Sequence, residues 1–133
     1  MVCVRKGYLK TMELLLKKGA DVNIQDDHLQ TALHVACSKV RHTNMDVTLK
    51  CISLLIKYDI GINIQDVNGD TAIHICARSN LVRLLEAILS PSAIAKWQPR
   101  LTNKFKLTAL QVAHKQGNTE AEAFLKVKQV SMA

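Results

Sequence analysis

Thr31-Ala32-Leu33-His34-Val35-Ala36 returns as Thr71-Ala72-Ile73-His74-Ile75-Cys76, and again as Thr108-Ala109-Leu110-Gln111-Val112-Ala113. The first two copies share a lead-in, Asn23-Ile24-Gln25-Asp26 and Asn63-Ile64-Gln65-Asp66, and in both the threonine follows the aspartate by five residues. Two long strings matched at one offset mark an internal repeat, and a repeat sets the architecture before any single element is weighed. Such a unit buries its apolar face only against its neighbours, so the chain reads as a stack.

Working outward, each copy is followed by a second apolar pattern. These are Leu49, Ile52, Leu55 and Ile56; then Leu81, Leu84, Leu85 and Ile88; then Ala121, Phe124 and Leu125. Spacings of three and four place each set on one face of a helix. Upstream, Leu9, Met12, Leu15 and Leu16 make the same face. Lys17-Lys18-Gly19 closes it, with cations in the last turn and a glycine stop. The unit is a short helix, a turn, a longer helix, and a polar loop leading to the next threonine.

These strings resemble the ankyrin repeat family, whose unit opens T-P-L-H-x-A, ends L-L-x-x-G-A-D-x-N and turns at D-x-x-G-x-T. Here the end is Leu15-Leu16-Lys17-Lys18-Gly19-Ala20-Asp21-Val22-Asn23, and the turn and start are Asp66-Val67-Asn68-Gly69-Asp70-Thr71-Ala72-Ile73-His74. The resemblance covers nearly the whole chain. It implies an all-α solenoid of about four repeats with loop or β-hairpin-like fingers. The array is expected to be single over residues 1–133, with units near 1–25, 26–65, 66–102 and 103–133.

Departures from the pattern are informative. All three starts carry Ala in place of Pro, so the helix starts are expected to be less rigid. Leu29 and Lys106 stand where Gly69 keeps the turn glycine, and Gln111 stands where His is usual. The interval from Thr31 to Thr71 is 40 residues and from Thr71 to Thr108 is 37, against about 33 for the family unit. The surplus is expected near 38–46, between two helices, and near 91–106, in the long connector. Residues 2–7 match the second half of a first helix, so the first repeat reads as incomplete. Val2 and Val4 there offer apolar surface for self-association. Glu120, Glu122, Lys126 and Lys128 give the last helix the polar outer side that a capping repeat needs.

Composition bounds the function. A chain of 133 residues holds one domain or a short array. Its net charge of +7 favours an acidic partner, whether nucleic acid, membrane surface or protein, without choosing among them. Cys3, Cys37, Cys51 and Cys76 form no C-x-x-C pair, and three sit in apolar strings. They read as reduced core thiols of an intracellular protein, cytoplasmic or nuclear. Leu14-Leu15-Leu16 is too short for a signal segment, and no stretch approaches a membrane span.

The family binds partners through finger tips and short helices, which here implies segments 20–30, 59–70 and 94–107. The first two each carry three aspartates (Asp21, Asp26 and Asp27; Asp59, Asp66 and Asp70), and the third carries Lys96, Arg100, Lys104 and Lys106. A phosphate backbone needs a continuous positive stripe, so another protein of mixed charge is the expected partner. Nucleic acid, held by the basic helical faces and the segment from Lys96 to Lys106, is the alternative. A structural section of a longer array is another.

Asp26 and Asp66 read as turn residues that accept backbone hydrogen bonds. Asp27, His28, Asp59, Asn68, Asp70, Trp97, Arg100 and Lys104 are the candidate partner-binding residues. Trp97 and Phe105 are either hot-spot aromatics or the groups that fold the connector back. Asn23, with Leu15, Asp21 and Val22 before it, fits the arrangement favoured by the asparaginyl hydroxylase that modifies ankyrin repeats. His34 and His74 fall in the start motif, where the ring bonds backbone within the turn. That register explains them without a metal, and neither a metal nor another cofactor is expected. No G-x-S-x-G, Walker A or H-E-x-x-H string occurs, so no catalytic role is expected.

Overall fold

A computed structural model describes residues 9–39 and 45–132; the side chains of residues 9–12 and 131–132 lie outside that description. The expected insertion near 38–46 falls largely outside the described residues, as do Cys3, residues 2–7 and the self-association surface at Val2 and Val4. In chain order the helices are α1 (Leu9–Lys17), α2 (Ala32–Ser38), α3 (Met45–Lys57), α4 (Ala72–Arg78), α5 (Val82–Ile88), α6 (Ala109–Lys115) and α7 (Thr119–Met132), with a 3-10 turn at Ile94–Lys96. Among the described residues there is no strand.

Two layers result. Helices α2, α4 and α6 pack side by side, and α1, α3, α5 and α7 form a second row; α2–α3, α4–α5 and α6–α7 join the rows. The first row is built of seven-residue helices, too short to be stable alone in water. Packing holds them. Ala36, Cys37, Ala72, Cys76, Ala77, Ala109 and Ala113 are buried small residues on this row, and Leu33, Ile73, Leu55, Leu84, Leu85, Ile88 and Leu125 fill the space between the rows. Cys37, Cys51 and Cys76 are buried and take part in no disulfide. Burial, and a hydrogen bond with Cys37, push the Cys76 thiol well above its ordinary value.

Each short helix begins at a threonine in extended conformation. The Thr31 N–H donates to His34 Nδ1 at 3.1 Å, and the Thr71 N–H to His74 Nδ1 at 3.3 Å. This is the bond within the turn that the start motif implied. The rings also do something the motif did not imply: each reaches into the next repeat. His34 Nε2 lies 2.9 Å from the Asp70 carbonyl, and His74 Nε2 lies 3.0 Å from the Leu107 carbonyl. With Nδ1 accepting, Nε2 donates to the carbonyl, so both nitrogens of each ring are used. Gln111 keeps the inner contact, its Oε1 accepting from the Thr108 N–H at 2.9 Å.

Four helices, α1, α3, α4 and α6, end by one device. Ala20 N–H bonds to the Leu15 carbonyl and Gly19 N–H to that of Leu16. The same pair recurs at Ile60 and Asp59, at Leu81 and Asn80, and at Asn118 and Gly117. The residue in the left-handed region is Gly19, Asp59, Asn80 or Gly117, as this cap demands. The last helix is less polar outside than its charges implied: Val127 and Val130 are exposed on it as well as Glu120 and Lys126.

Candidate functional site

Three five-residue turns line one edge of the stack, at 26–30, 66–70 and 103–107. In the first, Asp26 Oδ1 accepts from the His28 and Gln30 N–H groups, each at 2.9 Å. In the second, Asp66 Oδ1 accepts from Asn68 and Asp70, also at 2.9 Å. In the third, Asn103 Oδ1 accepts from Phe105 at 2.9 Å and Leu107 at 3.2 Å. A short oxygen side chain at the first position thus closes each turn. Backbone pairs at 26 and 30, 66 and 70, and 103 and 107 complete small hairpins. The Gln30 and His28 N–H groups hold the Asp26 carboxyl below its ordinary value.

The fourth position of each turn is left-handed: Leu29 at φ 61°, Gly69 at 75° and Lys106 at 63°. Leucine and lysine bear strain there of about 1–2 kcal/mol. Only the middle turn must have glycine, because a Cβ at Gly69 would come within 2.9 Å of the Lys104 nitrogen. The turns are tied in series, Val67 N–H to the His28 carbonyl and Lys104 N–H to the Asn68 carbonyl, both 2.9 Å. Behind them runs a second tie. Asn23 Oδ1 accepts from Gly61 N–H at 2.8 Å, and Asn63 Oδ1 accepts from Gln98 N–H at 2.9 Å. Segment 96–107 therefore repeats the fingers of the other units, and the surplus residues of the connector lie before it, about the 3-10 turn.

The candidate residues separate under this geometry. Asp27, His28, Asn68, Arg100 and Lys104 are exposed on the turns or beside them. Lys104 Nζ donates to Asn68 Oδ1 at 2.9 Å and sits 5.2 Å over the Phe105 ring. Asp59 is exposed and ion-paired with Lys96. Asp70, expected to be open to a partner, is instead only 4% exposed. Its Oδ2 takes a hydrogen bond from Arg78 and its Oδ1 one from the Asn103 amide, both at 3.0 Å. Trp97 is buried at the position that Ile60 fills one repeat earlier, so it is a core residue of the connector. Phe105 is 65% exposed. Asn23 is exposed, with its amide oxygen used by Gly61.

Sequence reasoning did not single out Arg78 and Lys115, on the last turns of α4 and α6. They line, with Asn103, Phe105, Leu107 and Gln116, a cleft of about 170 Å³. The signal was available: both occupy the seventh position after the repeated threonine, on the row that follows the fingers. Among the described residues, no group of His, Cys, Asp and Glu could hold a metal ion, and no helix is long and apolar enough to cross a membrane.

A family model described as ankyrin repeats, in three copies, matches residues 1–97. A search of curated proteins finds none that matches the chain.

Proposed function

The chain belongs to the ankyrin-repeat family, and from that premise we propose that it grips a partner protein with the finger tips and the short-helix row. Ankyrin repeats are in general protein–protein interaction modules. One observation carries the assignment of the face. The three turns are locked by their first residue and by bonds to one another, yet their second and third side chains (Asp27 and His28, Val67 and Asn68, Lys104 and Phe105) are all exposed. A rigid backbone presenting unlike side chains at fixed intervals is preorganised for recognition. The role that fits is that of a scaffold, inhibitor or recruiting adaptor. The thiols of Cys37, Cys51 and Cys76, buried and outside any disulfide, support a reducing, intracellular setting.

Protein is favoured over nucleic acid because the exposed tip of the first turn is acidic at Asp27 and the second carries no cation. A phosphate backbone crossing the row would meet attraction only at the third. A photo-crosslinking residue placed at Asn68 or Phe105 should yield protein adducts in cells that survive nuclease, while the same residue at the exposed Arg83 of α5 should not. Adducts of equal yield from Arg83, or adducts that vanish with nuclease, overturn the reading. Asn23 is proposed as a hydroxylation acceptor; mass spectrometry after co-expression with the asparaginyl hydroxylase should show one added oxygen there, and an unmodified residue removes the idea.

A further inference from the structure

We infer that the cleft between α4, α6 and the third turn takes an acidic segment of the partner anchored by one apolar side chain, an inference that rests on the finger face being the binding face. The cleft is floored by half-buried Leu107 and buried Val112, and walled on one side by Phe105. Apart from the Lys104 ammonium over its ring, Phe105 makes little structural use of being aromatic. Its contribution to the turn is a backbone N–H given to Asn103 Oδ1, which any residue but proline supplies, and its ring stays 65% exposed. An exposed aromatic beside an apolar floor is the usual form of an interface anchor.

The rim is cationic. Arg78 and Lys115 face the cleft from α4 and α6, and Lys104 and Lys106 flank Phe105 on the turn. The acids nearby are already engaged. Asp70 is buried between Arg78 and Asn103, and Glu122 is held by His114 and Lys126. The Asp70 bond holds the Arg78 guanidinium in place with one of its five donors, leaving a positioned fork for an incoming carboxylate. A Glu or Asp of the partner bridges Arg78 and Lys115, and its neighbouring apolar side chain lies on Phe105 and Leu107. The charge order of the row then sets direction. The acidic part of the partner lies over the third turn, and any basic part lies toward Asp27.

The test selects random displayed peptides on the whole chain and measures the winners by fluorescence anisotropy. The proteins compared are the wild type and the Lys115→Glu, Phe105→Ala and Asp27→Lys variants, each confirmed folded by circular dichroism. Winners should be acidic with one aromatic or aliphatic residue. Lys115→Glu and Phe105→Ala should each weaken them about tenfold or more, Asp27→Lys far less, and added salt should weaken them further. Basic winners, no winners, or winners lost with Asp27→Lys but kept with Lys115→Glu overturn the cleft and leave the finger face standing. Winners indifferent to all three variants overturn both. Displacement of the winners by single-stranded DNA at equal charge concentration overturns the acidic-peptide assignment in favour of nucleic acid.

Discussion

The turns at 26–30 and 103–107 have the same hydrogen bonds and opposite surfaces. One oxygen side chain, Asp26 or Asn103, closes each over two backbone N–H groups. One left-handed residue, Leu29 or Lys106, follows. Yet the first turn shows Asp27 and His28 to solvent and the third shows Lys104 and Phe105. The residues that close a turn and the residues that face a partner therefore share five positions without competing. The difference between Asp26 and Asn103 belongs to the first group. Asn103 is buried at 6% exposure against Asp70, and an amide there donates where a second carboxylate would repel.

That contrast is broken most forcefully by exchanging the closing residues. Asn103→Asp should cost about 1–3 kcal/mol, because it removes the donor to buried Asp70 and sets two carboxylates together. The reciprocal Asp26→Asn keeps its acceptor oxygen and should cost under about 1 kcal/mol. Urea denaturation of both variants compares them, and equal losses would dissolve the distinction.

The left-handed position comes next. Gly69→Ala should cost about 1–2 kcal/mol or more, since strain adds to the clash with the Lys104 nitrogen. Lys106→Gly, at the same place in the next turn, should be neutral or stabilising by up to about 1 kcal/mol. Thermal melts of the pair show whether being enclosed between two turns is what makes the middle one depend on glycine.

The tie between repeats offers a smaller effect with a pH signature. Burial holds the His74 pKa below its ordinary 6.5. The unfolded chain therefore binds the proton first, so the stability this ring gives is complete above about 6.5 and is lost as pH falls toward the folded value. His74→Gln, the residue the last repeat already uses, should cost about 1 kcal/mol at pH 7.5 from the lost bond to the Leu107 carbonyl. The gap to wild type should narrow at pH 5.5. A gap that stays constant with pH would mean that the ring does not titrate in this range. Smallest of all is Phe105→Ala, which should move stability by less than about 0.5 kcal/mol, whatever it does to binding.

The fold was legible because apolar spacing and a repeated threonine start report packing directly, and packing is what a stack is made of. The closing roles of Asp26 and Asp66 were legible for the same reason, since five residues to the threonine is a local distance. Asp70 was not. It differs from Asp27 only in standing fifth rather than second in its turn, and its partners Arg78 and Asn103 come from another helix and another repeat. Trp97 and Phe105 look alike in the string 96–106. They part only when Trp97 is seen to hold the place of Ile60. Arg78 and Lys115 were not singled out because the cleft they line exists only once two repeats are side by side.

The histidine ties all run one way, from a ring to the carbonyl of the repeat that follows. Peeling the α6–α7 pair away under load would leave a ring N–H at the broken face. Peeling α1 to α3 away from the other end would leave instead the Asp70 carbonyl, which still accepts from the Asp66 N–H. The rod thus has a mechanical polarity, with a grain that runs along its length like the lay of overlapping tiles.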